Sequence, residues 1–130
     1  MQHTDINTEL FENLGKLFYA VAAADRNLHE NETLGLHREI EKFWKPKFTE
    51  APYSMAYYIW HAFELARRTD TTAEQAYEEF VVFFKKSPGE FTEEVKNLIL
   101  DTANAISLAY ADKNKSELIL LAKLHLLFND

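Results

Sequence analysis

Hydrophobic residues recur along this chain at intervals of three and four, the period of helices with one buried face. No strand-like alternation is long enough to compete. Leu10, Leu14, Leu17, Phe18 and Val21 set the first stripe, on a helix expected from Asp5 or Thr8 to about Ala24. Gly15 interrupts that helix at a cost of about 1 kcal/mol against Ala, so close approach of a neighbouring helix is expected there. A second helix, about Glu30 to Trp44, places Leu36, Ile40 and Phe43 on its apolar face. Pro46 and Pro52 bound a loop, because each disfavours helix at the residue before it. Met55, Ile59, Ala62, Phe63 and Ala66 mark a third helix, about Tyr53 to Arg68.

The fourth helix begins after Thr71 or Thr72, since Thr71 with Glu74 and Thr72 with Gln75 both have capping-box spacing. It continues through Tyr77, Phe80, Val81 and Phe84 and stops at Ser87-Pro88-Gly89. Thr92 is the expected N-cap of a fifth helix, with Glu93 and Glu94 in its first turn. Val95, Leu98, Ile99, Thr102, Ala105, Ile106 and Ala109 form its stripe. A sixth helix from about Ser116 carries Leu118, Ile119, Leu121, Ala122, Leu124, Leu127 and Phe128. Apolar residues nearly surround it, which predicts deep burial or a place in an interface. The expected architecture is all-α: one domain over residues 1–130, a compact bundle of about six helices.

A phrase repeats at two corners of that bundle. Residues 20–32 read AVAAADRNLHENE, and residues 107–117 read SLAYADKNKSE. Aligned without gaps, Ala24, Asp25, Asn27 and Glu30 fall on Ala111, Asp112, Asn114 and Glu117, and Arg26 falls on Lys113. Helices one and two are therefore related to helices five and six by a pseudo-repeat. Two copies are too few for a solenoid. Asp25 and Asp112 stand near helix C-termini, where a carboxylate meets the negative end of the dipole. Two explanations compensate for that cost. In one, the Asp side chain accepts N–H groups of the turn while Asn27 or Asn114 adopts a left-handed conformation. In the other, carboxylates from Asp25, Glu30, Glu32, Asp112 and Glu117 bind a hard divalent cation. The D-x-N-x-x-E spacing resembles the opening of an EF-hand loop. Glu30 and Glu117 occupy the position of the loop glycine, and Leu36 and Lys123 that of the closing Glu, so the EF-hand is excluded.

ADRNLHENE and ADKNKSE resemble the two acidic corners of the TerB-like family, which includes the tellurite-resistance protein TerB and the N-terminal domain of the co-chaperone DjlA. The resemblance covers most of the chain in layout and about twenty residues in motif. It implies a compact helical domain, non-enzymatic, concerned with stress response or protein interaction. It also implies metal binding at the acidic positions, here Asp25, Glu30 or Glu32, Asp112 and Glu117. The family has glycine after each Asp, whereas this chain has Arg26 and Lys113, cations able to pair with the carboxylate and compete with a metal.

Composition narrows the alternatives. The chain has no cysteine, which excludes disulfides, thiolate metal sites and a cysteine nucleophile. Its formal net charge of −7, from 21 acids against 14 bases, argues against nucleic acid and permits cation binding or a basic protein partner. Basic groups at Lys42/Lys45/Lys47, Arg67/Arg68 and Lys85/Lys86 fall at helix ends, where they complement the dipole. The first residues, MQHTDINTEL, lack the pattern of a signal peptide, and no apolar run is long enough to span a bilayer, so the expected location is the cytoplasm. The reading leaves room for a protein partner and for a homodimer, without membrane insertion.

Two other sites carry candidate chemistry. His61 with Glu64, and His37 with Glu41, place a histidine and a carboxylate on one helix face, as half of a metal-dependent active site would, or as an ordinary surface pair. The aromatic run 53–63 suits either a core or a pocket wall. The favoured function is thus a TerB-like stress-response module with a divalent cation at its corners. The alternatives are a metal-free interaction domain and, third, a metal-dependent enzyme around His61 and Glu64.

Overall fold

The computed structural model describes residues 6–24, 30–44, 55–110 and 115–129. Six α-helices account for nearly all of them: α1 Ile6–Ala22, α2 Glu30–Trp44, α3 Met55–Arg68, α4 Ala73–Lys86, α5 Glu93–Tyr110 and α6 Lys115–Phe128. One turn of 3-10 helix, Pro88–Glu90, joins α4 to α5. The molecule is an all-α bundle, with no strand among the described residues.

Local chemistry fixes the helix starts. The Thr72 hydroxyl accepts the Gln75 N–H at 3.0 Å, so Thr72, and not Thr71, is the cap of α4. Thr92 caps α5 in the same way, accepting from Val95 at 3.2 Å. The end of α3 is a Schellman turn: the Asp70 N–H donates to Arg67 O and the Thr71 N–H to Ala66 O. Asp70 occupies its left-handed position, with φ 57°.

The helix at the centre is α1. It packs against α3, α4, α5 and α6. Leu10, Leu14, Leu17, Phe18 and Val21 are buried as their spacing predicts, and so are Phe11, Tyr19, Ala20, Ala22 and Ala23. Gly15 lies where α1 crosses α3. A Cβ there would run into the Ile59 carbonyl oxygen and stand 2.7 Å from Ala62 Cβ and 3.0 Å from Phe63 N. The expected close approach is therefore present, and it is backbone to backbone.

Trp44 ties α2 into this core. Its ring lies 6.1 Å from Phe11 and 6.3 Å from Phe18, and its indole N–H donates to the Thr102 hydroxyl of α5 at 3.0 Å. Thr102 in turn donates to Leu98 O at 2.7 Å. Both polar groups of this buried pair are satisfied, which avoids the about 1–3 kcal/mol cost of an unpartnered one. The inward stripe of α2 is thus Leu36, Ile40 and Trp44, all fully buried, with Phe43 beside it. In α4 the buried stripe is Ala76, Phe80 and Phe83, and Tyr77, Val81 and Phe84 flank it. Phe80, Phe83 and Phe84 pack with Phe91 and Phe128 in a ring cluster, with centroids 4.9–6.4 Å apart, that joins α4 to the end of α6. Lys96 closes that end, its ammonium 3.4 Å from Phe128 O.

Of the two places expected for α6, deep burial is not the one it takes. Leu124 and Phe128 are buried, but Leu118, Ile119 and Leu126 are 58%, 54% and 71% exposed. The reason is topological. α6 lies at the rim of the bundle on α5 and α1, so one face is covered and the other apolar face is left to solvent. No described helix is long and apolar enough to cross a membrane.

Candidate functional site

Two of the five sequence-predicted ligands, Asp25 and Asp112, lie outside the described residues, as do Arg26, Asn27, Lys113 and Asn114. Glu30 opens α2 and Glu32 is its third residue, while Glu117 is the third residue of α6. Their helix backbone is described and their side chains are not. The cation hypothesis thus rests on side chains outside those described.

What the fold does bring together is the neighbourhood of both corners. Ala24, the residue before Asp25, lines a cleft of about 310 Å³ together with Ile119, Leu120 and Lys123 of α6, the first of them two residues after Glu117. Ala73, Glu74, Tyr77 and Glu78 of α4 form the remaining wall. The end of α1 and the first half of α6 thus face one opening. α4 and α6 run alongside it and meet beyond it, where Phe80 and Phe84 reach Phe128. This volume stands at the lower end for small-molecule pockets.

The chemistry of the cleft is mixed. Its floor is apolar, from the two alanines and Leu120. Glu74 and Glu78 stand one helical turn apart on α4, exposed, with no ion-pair partner among the described residues. Glu74 also sits in the first turn of α4, where a carboxylate complements the dipole. Tyr77 stands between them in sequence, and burial raises the pKa of its phenol above the ordinary tyrosine value. Lys123 faces from α6. The sequence pattern sets Tyr77 in the apolar stripe and gives Glu74 only a capping role, with none for Glu78. Their i, i+4 spacing on the side of α4 away from Phe80 was the available signal.

The histidine pairs resolve differently. His37 Nε2 lies 3.5 Å from Glu41 Oε2, and the His37 ring stacks on Trp60 at 4.6 Å, with Trp60 stacked on Phe63 at 4.9 Å. Glu64 is paired with Arg67 of its own helix. Both of its oxygens accept from Arg67, at 2.8 and 3.1 Å, in a fork typical of Arg–carboxylate pairs. His61 is exposed, its ring 5.9 Å from Tyr57. Among the described residues no three His, Asp or Glu side chains converge as a metal site requires. The aromatic run is divided as well: Ile59 and Phe63 are core, and Tyr57 is 55% exposed.

No family model, no curated protein and no solved structure matches this chain.

Proposed function

We propose that this chain is a non-enzymatic TerB-like module of the stress-response, tellurite-resistance type, acting in the cytoplasm by binding, with a divalent cation as the ligand of its repeated acidic corners. One observation carries the reading. The helix that leads into the first corner and the helix that follows the second open onto the same cleft, through Ala24 and Ile119. The donor set suits a hard cation, because Asp25, Glu30, Glu32, Asp112 and Glu117 offer only carboxylate oxygens. Arg26 and Lys113 compete for the same oxygens and weaken the site relative to a glycine-bearing corner.

The test is thermal melting in EDTA and then with Ca²⁺, Mg²⁺, Mn²⁺ or Zn²⁺. A cation that prefers the native chain stabilises it by about 2.7 kcal/mol at a hundredfold excess over its Kd. The expected result is a raised midpoint with at least one ion, abolished by Asp25→Asn or Asp112→Asn. Midpoints indifferent to every ion would remove the cation from the reading.

A second reading, a metal-free protein-interaction domain, is favoured by a different observation, the solvent-facing Leu118, Ile119 and Leu126 of α6.

A further inference from the structure

We infer that the α4–α6 cleft, with the outer apolar face of α6 that continues from it, is the docking groove for a basic amphipathic helix of a partner protein. The inference deepens the protein-interaction reading and is independent of the cation. Three features fit that occupant. The apolar anchors are in place: Leu118, Ile119 and Leu126 span two turns of α6 and are more than half exposed, the arrangement that an amphipathic helix covers. The charge is in place on the opposite wall, where Glu74 and Glu78 are unpaired among the described residues and the chain as a whole carries −7. Lys123 rises from the α6 side, so bases on the partner are tolerated only toward α4. That one-sidedness fixes the rotation of the docked helix and rejects one that is basic all round.

The other occupants of an apolar face fit less well. A second copy brings a further −7 to the contact, with Lys123 the one base lining the cleft among the described residues to meet two glutamates. An anionic membrane surface is repelled by the same glutamates.

The probe is a fluorescein-labelled Leu/Lys amphipathic peptide of about 18 residues, with a Leu/Glu peptide of identical pattern, followed by anisotropy in EDTA. The Leu/Lys peptide is expected to bind and the Leu/Glu peptide not. The exposed double variant E74K/E78K should weaken binding by about tenfold or more, and Glu78→Gln by less in the same direction. Ile119→Ser with Leu126→Ser should weaken it comparably, with circular dichroism unchanged. A control of equal charge, E12K/D101K, uses exposed positions outside the cleft and should change binding by less than about threefold. The inference is overturned if both peptides bind alike or neither binds, if the control weakens binding as much as E74K/E78K, or if the serine variant binds as well as the parent. It is also overturned if sedimentation shows a dimer that the serine variant dissociates, or if phosphatidylserine vesicles capture the protein through the same residues.

Discussion

Asp70 shows how far one residue departs from the pattern around it. It holds the left-handed position of the Schellman turn that ends α3, a place glycine fills without strain and Asp fills at a cost. Its carboxylate also meets the negative end of the α3 dipole. Asp70→Gly should therefore stabilise the protein, by about 0.5–1 kcal/mol, read as a rise in Tm of a few degrees. A lowered Tm would mean that the carboxylate has a compensating partner. Tyr19 reaches the same turn, its hydroxyl donating to Thr71 O at 2.7 Å. Burial first, and then the charge of Asp70, raise the pKa of this phenol, with Arg67 opposing. The folded chain then holds the proton more tightly than the unfolded chain does. The resulting stability is fully present below the unfolded tyrosine value, about pH 10, and is lost as pH climbs through it toward the folded value. Tyr77 shifts in the same direction and adds to the loss. Urea midpoints at about pH 8 and about pH 10.5 should fall accordingly. Tyr19→Phe should cost about 1 kcal/mol at the lower pH and make the alkaline decline shallower.

At the scale of elements, the crossing of α1 on α3 is set by Gly15. Gly15→Ala gains about 1 kcal/mol of helix propensity but forces a methyl into the Ile59 carbonyl, and overpacking against backbone costs more than a flexible side chain would. The net expectation is a loss of about 1–3 kcal/mol, with Tm lowered by roughly 5 °C or more. An unchanged Tm would show that the two helices slide apart freely. This glycine was legible in the sequence, because a helix breaker amid Leu14, Leu17 and Phe18 needs a packing reason. So were the start of α5 at Thr92 and the limits of α2. The register of α4 was not. Its aromatics at Tyr77, Phe80, Phe83 and Phe84 fit two overlapping stripes equally well, and the fold buries Phe83 with Ala76 and Phe80 while Tyr77 and Phe84 flank them. The choice between burial and an interface for α6 was not legible for a related reason. An apolar periphery records what a helix can bury, whereas coverage depends on which neighbours arrive, and here they arrive on one side. The cleft was invisible for the same cause, since Ala24, Glu74 and Ile119 become neighbours only when three distant helices pack.

At the scale of the whole molecule, the all-α class and the order of six helices follow from periodicity, while the centre of the bundle does not. Periodicity allowed α6 either deep burial or a place in an interface, and it is α1 that the other helices enclose. Packing added a cleft onto which Ala24 and the first half of α6 open together. The position of α1 has a consequence in time. It is the earliest of the six helices to leave the ribosome, and the partners that cover it, α3 through α6, are all made later. Until α3 and α4 have emerged, the leucine and phenylalanine stripe of α1 lacks the helices that cover it here, and α6 is made last of the six. Such a chain gains its core late and depends meanwhile on whatever shields exposed leucine and phenylalanine side chains during synthesis.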